Sequence, residues 1–323
     1  RYMDLYEMDL ENFSPTLLYQ NDEGYNIGGI SHDKKYLPLS KAINTNDSDM
    51  FLYSFEDKSA TKINPNQSAN SYEDFSKDGS SLYYTTDDGA DFAYLMKYNI
   101  VDGSREKVME RNWDIVGSYF TENDTYQVTY INEDAKNVIE VKDVASGENI
   151  ELPKFDNTSI TNVGFSKDEK TMRFYAGGSN TPSNLFVYDL ETKEQNQLTN
   201  VLNPEIKGEH LVTAEVIRFN SFDGVEIPAI YYKPHQASTE KKVPALVWVH
   251  GGPGGQSRQN FNSLVQYMVN HGYAILAVNN RGSSGYGKTF YQMDDLNHGD
   301  KDLKDCVEGK NWLAQQPGID PDK

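Results

Sequence analysis

Four short segments of similar chemistry recur at a constant step of 45 residues, namely 30–33 (ISHD), 75–78 (FSKD), 120–123 (FTEN) and 165–168 (FSKD). Each has an apolar residue, then a hydroxyl side chain and, two residues later, a carboxylate or an amide. Such short polar side chains bond to the nearby backbone and close tight turns. The strict spacing indicates that one structural unit repeats along the N-terminal part of the chain.

Strand-like residues follow each of these turns, and a second strand-like segment comes about 20 residues later. The second segments are Phe51–Tyr53, Tyr94–Tyr98, Val138–Val141 and Leu185–Asp189. A repeat of about 40 to 50 residues with several short strands and no helical pattern is typical of one four-stranded propeller blade. We therefore predict a partial β-propeller of about four and a half blades over residues 1–205. The alternative, a β-sandwich, would require four coincidences of spacing.

The pattern changes near residue 205, where a linker with Pro204 and Gly208 ends the repeat. Two alternating segments then flank Asp223-Gly224, a dipeptide that signals a hairpin. The next strands, 245–249 and 274–278, are continuous apolar runs, which are typical of parallel strands covered on both faces. Residues 206–323 are therefore predicted to form the N-terminal part of an α/β domain.

Two helices are predicted in this second domain. The first lies between the two apolar strands and would turn one apolar face inward. The strand–helix–strand unit would then be a right-handed crossover. The second, at about 302–314, would end before Pro317-Gly318. The residues expected to face the core are Phe261, Leu264, Val265 and Met268 in the first helix, and Leu303, Cys306, Val307 and Leu313 in the second.

A glycine-rich loop, 250–255 (HGGPGG), directly follows the first apolar strand. In α/β-hydrolases an HGGG-type loop at this place points backbone N–H groups at the oxyanion of a tetrahedral intermediate. Glycines allow close approach of the backbone and unusual dihedral angles there. Gly252 and Gly251 are therefore the candidate catalytic residues of this chain. The alternative is a glycine-rich connector with no catalytic part.

The order of these parts resembles the prolyl oligopeptidase family of serine peptidases. The resemblance rests on the 45-residue repeat, the Asp223-Gly224 hairpin, residues 250–253 (HGGP) and residues 279–287 (NNRGSSGYG), and it covers essentially the whole chain. The HGGP variant is most similar to the acylaminoacyl-peptidase and dipeptidyl-peptidase-like branches. The resemblance implies a propeller that often has seven blades, so further blades are expected before Arg1. It also implies that Gly252 supplies an oxyanion N–H.

The resemblance further implies a serine nucleophile in a G-x-S-x-G-G turn, followed by the aspartate and histidine of a triad. No G-x-S-x-G occurs in this sequence, and none of the six histidines is assigned as the catalytic base. We expect the triad to lie beyond residue 323, and the 323-residue chain alone to show no peptidase turnover. His32, His210, His235, His271 and His298 are expected to be solvated, and His250 differs only by its position.

Residues 282–289 (GSSGYGKT) also fit the phosphate-binding pattern G-x-x-x-x-G-K-T. A phosphate loop should run straight into a helix, whereas residues 290–297 show no apolar stripe. The same residues fit the R-G-S-x-G-Y-G loop of the family. We therefore disfavour a nucleotide site and expect no cofactor.

The amino-acid composition restricts the classes of partner that this chain can bind. The chain has 49 acidic and 30 basic residues and a net charge of −19, which would repel nucleic acid. Its one cysteine excludes an intramolecular disulfide and a Cys-based zinc site, and we expect no metal. No apolar run is long enough to span a membrane. We expect a soluble protein, either cytoplasmic or periplasmic/secreted, and leave its compartment and homo-oligomerisation open.

The leading functional hypothesis is a serine peptidase that hydrolyses oligopeptides by a Ser-His-Asp mechanism, with the propeller gating access. Two alternatives remain: a non-catalytic propeller scaffold that binds partners, and an esterase with the same oxyanion loop. A G-x-S-x-G-G turn within about 15 residues after residue 323 would favour an enzyme.

Overall fold

The computed structural model describes residues 2–252 and 254–323. These residues form two compact units, one of residues 2–111 with 117–120 and one of residues 112–116 with the remainder of the chain. No helix within the described residues is both long and apolar enough to cross a membrane.

The N-terminal part consists of antiparallel sheets in which consecutive strands are neighbours. A two-stranded sheet comes first, with strands β1 (Leu5–Met8) and β2 (Pro15–Tyr19). The first four-stranded sheet contains β3 (Asn26–Ile27), β4 (Tyr36–Ala42), β5 (Ser48–Ser54) and β6 (Ser59–Lys62). The second contains β7 (Asn70–Phe75), β8 (Ser81–Thr86), β9 (Tyr94–Asn99) and β10 (Arg105–Met109).

Two further sheets complete the repeat. The third sheet has three strands, β11 (Asp114–Phe120), β12 (Tyr126–Glu133) and β13 (Lys136–Asp143). The fourth has β14 (Ser159–Phe165), β15 (Thr171–Gly178), β16 (Thr181–Asp189) and β17 (Gln195–Gln197). In the third sheet the place of a fourth strand is taken by one isolated bridge between Lys142 and Asn149. Pro153, which has no N–H to donate, lies in the segment that follows.

The repeated turn is closed by side-chain hydrogen bonds, as its serine and aspartate residues predict. Ser76 Oγ donates to Asp78 Oδ1 at 2.6 Å and accepts the Ser81 N–H at 2.9 Å. Ser31 and Ser166 make the same two kinds of bond in the first and fourth sheets. Phe75, Phe120 and Phe165 each end the first strand of their sheets, which confirms the repeat.

The C-terminal sheet contains β18 (Glu215–Asn220), β19 (Glu226–Tyr232), β20 (Ala245–Val249) and β21 (Ala274–Val278), in the order β18-β19-β21-β20. The first two form the predicted antiparallel hairpin, and β20 and β21 are parallel. The helices are α1 (Ser263–Asn270), α2 (Lys288–Tyr291) and α3 (Lys301–Ala314), with 3-10 turns at Gly208–His210 and Gln292–Asp294.

Three expectations about burial were wrong in detail. Leu303 and Val307 are 58% and 49% exposed, because α3 turns Asp302, Asp305, Cys306, Gly309 and Leu313 inward instead. In α1 the buried residues are Val265, Gln266 and Val269, whereas Leu264 is exposed. Strand β20 is only partly covered, since it lies at the edge of the sheet among the described strands.

The buried Arg281 guanidinium joins three stretches of this domain. It contacts Asp305 through Nε at 2.9 Å and Nη2 at 2.8 Å, and it contacts Asp223 through Nη1 and Nη2, both at 2.8 Å. The side chains of Arg281 and Asp305 are 3% and 0% exposed. Hydrogen bonds from Arg281 lower the pKa of Asp223 to about 2. The β18–β19 turn, the segment after β21 and helix α3 are thereby held together.

We predict that Asp305→Asn lowers the free energy of unfolding by about 3 to 5 kcal/mol, because it leaves a buried guanidinium partly unpaired. Urea denaturation measures this change. Glu308→Gln on the outer side of the same helix is the matched control, and it should change stability by less than about 0.5 kcal/mol. An Asp305→Asn protein as stable as the control would show that the cluster does not hold the domain.

Candidate active site

The loop of residues 250–259 lies directly after β20, where the sequence predicts an oxyanion hole. Its middle is fixed to the segment after β21. Asn279, which is fully buried, accepts the Ser257 N–H at 2.6 Å and donates to the Ser257 carbonyl at 3.0 Å. The Ser284 N–H donates to the Gly255 carbonyl at 3.1 Å. The two segments therefore form one assembly.

The far end of the loop is fixed by the turn between β12 and β13. The Gln259 N–H donates to the Ala135 carbonyl at 2.9 Å, and the Gln259 side chain donates to the Asp134 carbonyl at 2.9 Å. Arg258 Nη2 donates to Asn137 Oδ1 at 2.6 Å. Ala135 is fully buried, in a cluster with Val265 and other residues of the α/β domain. A turn of the third propeller sheet is thus part of this domain's core.

Gly251 and Gly252 differ from the anchored part of the loop because both are exposed. Gly252 has a φ of +120°, which L side chains rarely adopt. Among the described residues, none accepts a hydrogen bond from the Gly252 N–H. Gly251 has open space where a Cβ would lie. Pro253 belongs to the same predicted motif and lies outside the described residues. The two candidate glycines therefore present accessible backbone on an anchored loop.

His250 contacts a serine, and this pair resembles a nucleophile with its base. His250 Nε2 lies 2.8 Å from Ser283 Oγ. However, Ser283 Oγ donates its single proton to the Asn280 carbonyl at 2.6 Å, so it accepts a hydrogen bond from His250 Nε2–H. Ser283 is also fully buried. Burial lowers the pKa of His250, and its contact with Ser283 helps to anchor the loop.

The glycine-rich segment 282–287 has no long helix after it. Helix α2 contains four residues, Lys288–Tyr291, and is too short to provide the helix N-terminus of a phosphate loop. Instead, Tyr286 Oη accepts a hydrogen bond from Asn279 at 2.9 Å, and Gly285 packs against Asn132 and Gln256. The segment therefore supports the 250–259 loop.

Sequence reasoning missed the anchoring roles of Arg258 and Gln266, and it identified Asn279 only as part of the 279–287 motif. Gln266 is buried within α1, where its amide accepts the Val212 N–H at 2.9 Å and donates to the Ser179 carbonyl at 2.8 Å. The only signal in the sequence was a polar residue between apolar neighbours on a helix that packs against a sheet.

Comparisons with known proteins agree with this arrangement. The profile of the prolyl oligopeptidase N-terminal β-propeller domain matches residues 14–201, and the profile of the prolyl oligopeptidase family matches residues 259–323. The first match alone covers more than half of the chain. The chain therefore belongs to the prolyl oligopeptidase family.

Individual relatives show the extent of the similarity. Dipeptidyl aminopeptidase BIII of Pseudoxanthomonas mexicana is 25% identical over 333 residues, covering 98% of this chain and 47% of the relative. The uncharacterized peptidase YuxL of Bacillus subtilis (strain 168) is 28% identical over 170 residues, covering 52% of this chain and 26% of the relative. The chain spans about half the length of the first of these relatives, and less of the second.

A solved structure has the same fold. A Mycobacterium tuberculosis puromycin-hydrolyzing peptidase superposes with a TM-score of 0.80 at 16% identity, over 96% of this chain and 50% of that one. At this identity the likeness establishes the fold alone.

We predict that Asn279→Ala speeds hydrogen exchange of the Ser257 amide by about tenfold, because a hydrogen bond worth about 1 kcal/mol or more is lost. Exchange followed by mass spectrometry on overlapping peptides measures this rate. Asn203→Ala is the matched control, since Asn203 caps the exposed Glu205 N–H instead. An unchanged rate at Ser257 in a folded Asn279→Ala protein would contradict the proposed anchor.

Proposed function

We propose that the complete protein is a serine peptidase that hydrolyses oligopeptides. The observation that carries this proposal is that Gly252 is exposed and that its N–H has no acceptor among the described residues. The loop that holds it is anchored through His250 on one side and through Ser257 and Arg258 on the other. An oxyanion in a transition state is stabilised by backbone N–H groups that are held in place and have no other acceptor.

In the proposed reaction, a serine attacks the peptide carbonyl carbon while a histidine accepts the serine proton, and the carbonyl oxygen becomes an oxyanion. The Gly252 N–H donates one hydrogen bond to that oxygen, and an N–H beside the serine donates the second. The histidine then protonates the departing amine, and water hydrolyses the acyl-enzyme by the same steps. We propose that the serine, histidine and orienting aspartate come from the remainder of the complete enzyme.

The propeller is proposed to gate substrate access, so that peptides enter and folded proteins are excluded. The name of one relative, a dipeptidyl aminopeptidase, supports a substrate with a free amino terminus. A panel of aminoacyl- and dipeptidyl-anilides, N-acylated peptides and simple esters separates this proposal from an esterase. Absence of labelling by a fluorophosphonate would favour the non-catalytic scaffold.

We predict that Gly252→Ala in the complete enzyme lowers kcat by about 10² to 10³, with a smaller change in KM. The expected loss is selective because the oxyanion contact forms mainly in the transition state. The physical cause is that alanine disfavours a φ of +120°, and its Cβ would lie 3.1 Å from the Gly255 nitrogen, so the loop must move. Steady-state kinetics on a cleaved anilide measures both constants.

Gly208→Ala is the matched control, because a Cβ at Gly208 meets open space and its φ is not positive. This variant should retain wild-type kinetics. A folded Gly252→Ala enzyme with a kcat near that of the control would show that the loop is a connector.

A further inference from the structure

A group of three potential metal ligands lies away from the proposed oxyanion loop. Asp294, His298 and Asp302 are spaced four residues apart, from the 3-10 turn after α2 to the first turn of α3. One ligand atom from each lies within 4.8 Å of the other two. His298 Nδ1 is 2.6 Å from Asp302 Oδ2 and 3.8 Å from Asp294 Oδ2.

The Asp294 carboxylate is the unusual member of this group. The residue is only 6% exposed, and its Oδ2 atom is buried without a hydrogen-bond donor among the described residues. The distance of 3.8 Å to His298 Nδ1 is too long for a hydrogen bond. A buried carboxylate oxygen without a partner is costly, and such atoms in folded proteins indicate an ion or a water. This oxygen is directed toward the other two ligands.

Asp302 is held in a position suited to a ligand. Its Oδ1 accepts the Gly299 N–H at 2.7 Å, so Oδ2 is left to face His298 and Asp294. Ligating carboxylates are commonly oriented by a second hydrogen bond of this kind. The Asp294 carboxylate is fixed against the backbone of Gly282, where a Cβ would overlap it. The His298 side chain is 64% exposed and can move as an ion enters from solvent.

We propose that Asp294, His298 and Asp302 bind a divalent transition-metal ion, with Zn²⁺ as the best fit. One imidazole nitrogen with two carboxylate oxygens suits Zn²⁺, whereas Mg²⁺ and Ca²⁺ prefer oxygen ligands throughout. Zinc bonds of about 2.0 to 2.2 Å require ligand atoms about 3.4 Å apart. The contact of 2.6 Å between His298 Nδ1 and Asp302 Oδ2 must therefore lengthen as the ion enters, and water would fill the remaining position.

The ion would join the turn after α2 to the start of α3, and it would neutralise two neighbouring carboxylates. This role is structural, because the ion would link Asp294, which packs against Gly282, to Asp302 at the start of α3. From the sequence we expect no metal, and these three ligands form no Cys- or His-rich motif that would indicate one. The proposed Zn²⁺ binding does not rest on the proposed peptidase activity.

Calorimetric titration and thermal unfolding of the purified, chelator-treated protein with ZnCl₂, MnCl₂, MgCl₂ and CaCl₂ test the proposal. We expect one equivalent of Zn²⁺ to bind with a Kd of about 1 to 100 μM and to raise the Tm, with weaker binding of Mg²⁺ and Ca²⁺. Asp294→Asn and His298→Gln should each weaken Zn²⁺ binding by at least about 100-fold. His298→Gln keeps the test valid if Asp294→Asn does not fold, because His298 is exposed.

Two matched controls remove similar side chains outside the group. Asp300→Asn removes an exposed carboxylate in the same turn, and His271→Ala removes an exposed imidazole at the end of α1. Both should bind Zn²⁺ like the wild type. The proposal is overturned if Zn²⁺ does not bind below about 1 mM, if Ca²⁺ binds more tightly, or if Zn²⁺ binding is unchanged in His298→Gln.

Discussion

The geometry of the C-terminal domain depends on one buried guanidinium. Arg281 is bound by Asp305 on α3 and by Asp223 in the β18–β19 turn, and its own backbone N–H donates to Asp305 Oδ2 at 2.9 Å. Burying these charges is favourable only if each has its partners, so the backbone at Arg281 has little freedom. Residues on either side of Arg281, including Asn279 and Ser284, hold the 250–259 loop. The candidate oxyanion loop is therefore positioned through this ion-pair cluster.

A second constraint comes from the propeller. The turn between β12 and β13 requires positive φ at Asp134 and Ala135, and it places Ala135 in the core of the α/β domain. Backbone carbonyls of this turn accept hydrogen bonds from Gln259, and Arg218 Nη2 pairs with Asp134 at 2.9 Å. A displacement of this turn would therefore act directly on Gln259, at the C-terminal end of the 250–259 loop. This link gives the β12–β13 turn a structural role in positioning the loop.

The sequence predicted most of the fold because its strongest signals are local. The serine-aspartate turns are recognised from their own residues. The Asp223-Gly224 hairpin and the apolar strands β20 and β21 are likewise recognised from short continuous stretches of sequence. The burial of α3 was misjudged because Asp302 and Asp305 face inward and Leu303 and Val307 face outward. That reversal depends on Arg281, which is distant in sequence, and no helical period reveals such a partner. In the candidate site the glycines were identified by motif, whereas the anchoring contacts of Asn279 and Arg258 were not, since their partners come from other segments.

The central claim is that the Gly252 N–H faces the oxygen that becomes negatively charged. The most direct measurement is the distance from the Gly252 nitrogen to the oxyanion oxygen in a crystal structure of the complete enzyme inactivated by a peptidyl chloromethyl ketone. We predict a distance of about 2.7 to 3.1 Å, with the 250–259 loop anchored to Asn279 and to the β12–β13 turn. An oxygen more than about 3.5 Å from that nitrogen, bound instead by other donors, would contradict it.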